Sequence, residues 1–247
     1  MNIILVFDYE RHDTNFSEEK INLLQNYFQD VTDVGLLYIN YPMIESYQHI
    51  FSLPDYDYEN RKISVSLQPG YQYKNLVKSS MIATLMELPK KIDGILFERF
   101  KIVDKELRSK CVKRILQIDF VDPDTKKTLK KILLDVLNEE QILTVGYQID
   151  VLIKNSGYAY NGKNYYEHMR EIFKDIIIHN ICKANKVMNG NYNISLKDLK
   201  QNFLELDYAE ILLAQNLCSN DEVSGIIWVL NTSMLFIPEY NFCLIYE

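Results

Sequence analysis

The sequence predicts an α/β protein: a small N-terminal parallel βαβ unit followed by a mainly helical body. Three observations carry this. Two short continuous apolar runs, Asn2–Phe7 and Leu36–Ile39, flank a stretch of helical periodicity, the pattern of parallel strands joined by a crossover helix. From about residue 74 onward the apolar residues recur at helical spacing rather than in alternation. The chain has 247 residues, 47% hydrophobic and 25% charged, which suits one large domain or two small ones and excludes a disordered or low-complexity chain.

Each element has its own signal. Asn2–Phe7 is rich in branched apolar residues and ends at Asp8, so it reads as a fully buried strand. Ser17 is the expected N-cap of a helix whose first turn holds Glu18 and Glu19, acids that suit the positive helix end. Ile21, Leu24, Tyr27 and Phe28 mark its apolar face. Asp33-Val34-Gly35 is turn chemistry leading into the second buried strand. Pro42 suits the first turn of a short helix through about Phe51. Residues 52–73, with Pro54, Pro69 and Gly70, are loop-like and close an α/β part spanning 1–73.

The body, 74–247, shows Leu107, Cys111, Ile115 and Ile118 at helical spacing, then Leu129, Ile132, Leu133, Val136 and Leu137. Tyr166, Met169, Phe173, Ile176 and the apolar residues that follow predict one long helix stopped by Gly190, with Ser195 capping the next. Ile226–Leu230 and Met234–Ile237 fit either strand or buried helix. Trp228 is read as an anchor of the C-terminal core, or as part of a strand whose end, Asn231-Thr232-Ser233, leads into a functional loop.

Charge is uneven. Residues 1–60 hold eleven acids and two bases, residues 90–131 thirteen bases and seven acids, and residues 201–247 seven acids and no base, within a net charge of −7. The basic stretch has two readings: a track for a phosphate backbone, through Lys105, Arg108, Lys113, Lys127 and Lys130, or a pair of solvated helix faces. Eight glycines in the whole chain argue against a Gly-rich phosphate loop. Cys111, Cys182, Cys218 and Cys243 lie far apart without zinc spacing and are expected to be buried thiols. The opening run lacks the basic segment of a signal peptide, and no apolar run reaches the roughly 20 residues of a membrane span, so the expected location is cytoplasmic.

The sharpest chemical feature is Asp8-Tyr9-Glu10-Arg11-His12-Asp13, directly after a buried strand. In parallel sheets ligands bind beyond the carboxyl ends of the strands. Asp8 and Glu10 alternate off that end, which turns both toward one pocket, and two carboxylates there suit Mg²⁺, a hard cation that keeps several waters. Asp13 is a third candidate ligand, Glu45 follows the neighbouring strand, and His12 is placed to hydrogen-bond or move a proton. The competing reading is that these acids are turn and cap residues. His179 and Lys183, one helical turn apart, face a phosphate or form an ordinary helix surface. Tyr56, Tyr58, Tyr71, Tyr73, Tyr158, Tyr160, Tyr165 and Tyr166 either stack on bases or serve as amphipathic surface residues.

Ile3 to Asp13, the helix after it, and Leu37-Tyr38-Ile39-Asn40-Tyr41-Pro42-Met43-Ile44-Glu45-Ser46-Tyr47 together resemble the second half of a TOPRIM-like domain. They are most similar to the RloB-like proteins of bacterial restriction and phage-defence loci. There one strand ends in an Asp-x-Asp-type motif, matched by Asp8 and Glu10. A later strand ends in an Asn-Pro-x-Phe-Glu-type motif, matched by Asn40, Pro42, Ile44 and Glu45 with Tyr41 inserted. The resemblance covers about 50 residues. It implies Mg²⁺-dependent hydrolysis of a nucleic-acid phosphodiester, with Asp8, Glu10 and Glu45 catalytic. The family also uses a Glu on an earlier strand. This sequence starts at the Asp-x-Glu strand, which leaves three alternatives: a truncated or split member, a Glu supplied by another subunit, or a fold kept without the chemistry; an ATPase is a further candidate partner. The alternative is a non-catalytic binding or interaction module built on a degenerate TOPRIM-like fold.

Overall fold

The computed structural model describes residues 3–30, 34–157, 162–193, 195–221 and 224–245. Asn2, Asp33, Tyr158 and Tyr160, named above, lie outside them. The protein is mixed α/β, and its chain divides into two compact units, residues 1–80 with 174–247 and residues 81–173. The expected break at residue 73 is therefore replaced by an excursion: the C-terminal segment returns to the N-terminal strands. The reason is strand pairing, which ties residues near 230 to those near 40.

In the first unit β1 (Ile4–Asp8) pairs parallel with β3 (Gly35–Tyr41), in a register that sets Asp8 beside Asn40. The connection runs through α1 (Glu18–Tyr27), whose N-cap Ser17 accepts a hydrogen bond from the Lys20 amide as the sequence predicts. Two short antiparallel strands share the other edge of β3: β2 (Gln29–Asp30) at its start and, near its end, β6 (Leu230–Asn231). A separate ribbon joins β4 (Lys62–Ser64) to β5 (Ile226–Trp228). The apolar run at 226–230 is thus strand. Every residue of β3 is buried, as a central strand with a continuous apolar sequence should be.

β1 departs from its expectation. It has a strand on one side only, so it is an edge, and Val6 and Phe7, on opposite faces, are 44% and 45% exposed. The apolar stripe of α1 is also open: Leu24 and Tyr27 are exposed, and the buried residue of the helix is Gln25, whose amide donates to the Leu37 carbonyl at 3.2 Å. The first unit is completed by the 3₁₀ turn Ile44–Gln48, where a short helix is expected, by α2 (Lys74–Lys78), and by helices that follow the second unit in sequence.

The second unit is helical: α3 (Met81–Gly94), α4 (Lys105–Leu116), α5 (Thr125–Leu134), α6 (Glu139–Ser156) and the start of α7 (Tyr165–Asn189). Cys111, Ile115, Leu129 and Leu133 lie in its core, as their helical spacing predicts, together with Val145 and Ile149 of α6. α7 is the long helix expected from the sequence. It stops where Gly190 takes a φ of +82°, a left-handed conformation that favours glycine, and donates its N–H to the Lys186 carbonyl.

The remaining helices, α8 (Leu196–Leu204), α9 (Tyr208–Ser219) and α10 (Phe236–Asn241), return to the first unit. Ser195 precedes α8 without a side-chain capping bond. Of the four cysteines, Cys111 and Cys182 are buried as expected. Cys218 is half-buried and Cys243 is exposed. Among the described residues no helix is long and apolar enough to cross a membrane.

Candidate functional site

The parallel register of β1 and β3 delivers their carboxyl ends side by side, and the strand-end residues collect there. Asp8 Oδ1 accepts the Ile44 amide at 2.7 Å. Burial raises the Asp8 carboxyl above its usual value. The Ile44 bond and Lys74 pull it down, while the carboxylates of Glu45 and Glu10 push it further up. Asp8 is therefore close enough to Glu45 and to Glu10 for its carboxyl to feel both charges.

Glu45 sits in the 3₁₀ turn just past β3. Its Oε1 lies 3.1 Å from the Lys74 ammonium, and its Oε2 is buried without a hydrogen-bond partner among the described residues. Asn40 is fully buried. Its Oδ1 accepts the Ser233 amide at 3.1 Å, whereas its Nδ2 donates to nothing described. An unmet buried acceptor and an unmet buried donor each cost of order 1–3 kcal/mol, so their presence near one strand end calls for a ligand or ordered water.

The polar run after β5 builds the floor of this corner. Asn231 donates from Nδ2 to the Ile44 carbonyl at 2.6 Å and accepts the Met234 amide on Oδ1 at 3.1 Å, and Thr232 donates to the Ile39 carbonyl at 2.9 Å. Of the two readings of Trp228 to Ser233, the strand end followed by a polar segment is the one formed. Lys74 is the member sequence reasoning missed, because it lies in no motif; Asn231 belongs to the polar run that one of the two sequence readings placed at a strand end.

The rest of the acidic loop is otherwise engaged. Tyr9 is fully buried, its hydroxyl 2.6 Å from Asn216 Oδ1 and 2.7 Å from Ser219 Oγ, which pins the loop to α9. Asp13 Oδ1 accepts the Asn15 amide at 2.8 Å, the turn role that competed with ligation. His12 Nε2 lies 3.1 Å from the Leu67 carbonyl, and Glu10 is exposed. Among the described residues no group of three or more His, Cys, Asp or Glu is disposed to hold a metal. Mg²⁺, however, is commonly bound by one or two carboxylates with waters and substrate phosphate completing the shell, and Asp8 with the unpartnered oxygen of Glu45 fits that donor set.

The basic candidates belong to the second unit. Lys105, Lys113, Lys127 and Lys130 are exposed on α4 and α5. Arg108 is buried. It donates from Nε to Asp93 at 2.8 Å and from Nη1 to the Ile102 and Val103 carbonyls at 2.6 and 2.9 Å, so its guanidinium holds the chain entering α4 rather than a phosphate.

His179 and Lys183 are neither a phosphate site nor a helix surface. Both are buried. Lys183 Nζ donates to the carbonyls of Tyr58, Glu59 and Arg61 at 2.8, 2.7 and 2.9 Å and lies 4.6 Å from the centre of the Trp228 ring. Burial, then Lys186 and Arg61, push this ammonium down to about 6; three carbonyls and an aromatic face oppose that, since an uncharged amine has two hydrogens and cannot donate to all three.

His179 Nε2 accepts the Asp55 amide at 3.2 Å, and its Nδ1 lies 2.6 Å from the Tyr192 hydroxyl. Asp55 and Arg61 form a buried two-point ion pair, and Arg61 also donates to the His49 carbonyl at 2.8 Å. The tyrosines divide: Tyr58 and Tyr73 are fully buried and Tyr165 is buried, while Tyr56, Tyr71 and Tyr166 are exposed. Set against family models, curated proteins and solved structures, the chain matches none.

Proposed function

We propose that the chain is a Mg²⁺-dependent, phosphodiester-acting protein of TOPRIM type, with its site at the joined ends of β1 and β3. The observation that supports this most is the buried, unpartnered Oε2 of Glu45 next to an Asp8 carboxyl raised by burial and by neighbouring carboxylates. A fold that tolerates like charges and an orphaned acceptor at a strand end gives up stability there, which is the expected signature of a functional site. Asp8 and Glu45 would hold the cation and Glu10 would stand beside them. Bound there, the cation would polarise a phosphate oxygen and lower the pKa of a water. Lys74 would add a positive charge for a second phosphate oxygen. The substrate is a nucleic-acid strand; taken by itself, the second unit offers Lys105, Lys113 and Lys127 as exposed candidate contacts for nucleic acid.

A second reading is favoured by a specific pair of contacts. Asp8 already bonds the Ile44 amide and Glu45 already pairs with Lys74, so both acids have work in the fold itself. On that reading the unit is a binding module without catalysis. Calorimetry with Mg²⁺ and Mn²⁺ separates the two. The nuclease reading expects binding in the micromolar to millimolar range, lost in Asp8→Asn and weakened at least tenfold in Glu45→Gln. Absence of binding up to ~10 mM metal, in protein that is folded by circular dichroism, would leave the module reading.

A further inference from the structure

The second unit carries a groove that the proposed chemistry does not use. It lies between α5 and α6, encloses about 330 Å³, and has a floor of Leu129, Leu133 and Ile142. On α6, Leu143 and Tyr147 stand one turn apart at its mouth and are 80% and 70% exposed. Two large apolar side chains left that open beside an apolar floor stand out on a helix whose other apolar residues are buried or half-buried.

Two further features say what covers them. Lys126 and Lys130, also one turn apart, line the groove from the α5 side, and neither has an ion-pair partner among the described residues. α5 itself carries four lysines and no acid. The acid lining the groove, Asp150, is engaged by Lys154 at 2.6 Å.

The second feature is Gly146, in the middle of α6 between Leu143 and Tyr147. Glycine there costs the helix about 1 kcal/mol relative to alanine. The fold does not require it: a Cβ at this position would meet a Leu133 methyl at 3.8 Å, an ordinary contact. What the glycine preserves is open space on the groove floor.

We propose that the α5–α6 groove docks an amphipathic helix of a partner protein, its apolar residues seated over Gly146 between Leu143 and Tyr147 and its acidic residues over Lys126 and Lys130. Helix-in-groove recognition uses this combination of an apolar trough and a charged rim. A nucleic-acid backbone would be served by the lysines but has no use for the apolar floor. The proposal stands apart from the reading of the strand-end site.

A display library of helical peptides, selected against the full chain, tests it. The expected winners carry apolar residues at i, i+3 or i+4 and i+7 with Asp or Glu on the flanks, and their binding weakens with salt. Gly146→Leu, which fills the floor, is expected to reduce their affinity at least tenfold, while Gly146→Ala, as a folding control, melts no lower than the parent. Lys126→Glu with Lys130→Glu, a second variant, is expected to shift selection toward basic flanks. Failure to enrich any peptide over the Gly146→Leu background overturns the proposal, as does enrichment of basic peptides by the parent chain. An oligonucleotide that binds through the same lysines and is indifferent to Gly146→Leu assigns the surface to nucleic acid instead. Self-association abolished by Gly146→Leu assigns it to a second copy.

Discussion

Two polar clusters of the first unit invite comparison. Around Lys183, charged and polar groups from the 49–61 segment and α7 are buried together, and the strongest donors find acceptors: three carbonyls for Lys183, a carboxylate for Arg61. At the ends of β1 and β3 the Asp8 carboxyl feels Glu45 and Glu10, one carboxylate oxygen and one amide nitrogen have no partner among the described residues, and Lys74, which pairs with Glu45, is 43% exposed. The sequence pointed to the strand-end acids, and it named His179 and Lys183 without the partners that bury them. The difference is satisfaction. A closed network locks a fold, whereas an open one leaves binding capacity, so the open corner is the better site even though the closed knot holds more titratable groups.

The same substitution made in both clusters breaks or sharpens this contrast with the largest effect. Lys183→Met removes three hydrogen bonds, leaves the Glu59 carbonyl without this donor while Tyr58 and Arg61 keep the Arg61 and Val229 amides on theirs, and takes away the amine facing Trp228. Urea unfolding at pH 7 is expected to show a loss of about 3 kcal/mol or more. Lys74→Met removes a half-exposed ion pair and relieves nothing buried except its hold on Glu45. Its expected cost is under about 1 kcal/mol. Equal costs would mean the strand end is as structural as the knot, and the comparison would fail.

Acid titration comes next in size. Burial first, and then the Arg61 cation, push His49 down to about 4, and His179 is lowered by burial as well. Above pH 6.5 His49 is neutral folded and unfolded and contributes no pH dependence. Between 6.5 and about 4 the unfolded chain takes a proton that the folded chain refuses, so stability falls as pH falls. For a shift of this size the loss is about 3 kcal/mol by pH 4. Asp8 acts in the opposite sense, because its raised carboxyl protonates first in the folded state. Comparing unfolding midpoints at pH 7 and pH 5 for the parent and for His49→Gln isolates the histidine. The variant is expected to lose less on acidification, and an unchanged slope would take His49 out of the account.

Much of this was legible in the sequence, and what was not has identifiable causes. The strand register follows from two apolar runs, and α7 with its glycine stop follows from periodicity. β1 looked buried because a continuous apolar run gives no sign of whether strands lie on one side or both. The return of residues 226–231 to the sheet was hidden because runs this short fit strand and helix alike. That Asp8 ends near Glu10 and Glu45 could be read from two strands that end side by side. The approach of Lys74 could not, since it stands at the start of α2, whose path no local pattern fixes. Lys183 and Arg108 were misjudged for one shared reason: a basic side chain reads as solvated until the carbonyls it binds are seen.

The smallest expected stability change is the most discriminating. Asn at position 8 keeps an oxygen for the Ile44 amide, so Asp8→Asn preserves the cap while removing a charge that is partly desolvated and repelled by Glu45 and Glu10. At pH 7 the folded protein is expected to be as stable as the parent or more stable by up to about 1 kcal/mol. The parent's gain in stability as pH falls through the raised Asp8 pKa toward 3.8 should disappear in the variant. Cation binding should be lost at the same time. A variant that is more stable and no longer binds metal is what a site built at the expense of the fold predicts. A variant destabilised by more than about 2 kcal/mol would show that the carboxylate itself, and not merely an acceptor, holds the β3 turn, and Asp8 would then belong with Lys183 among the residues that lock the fold.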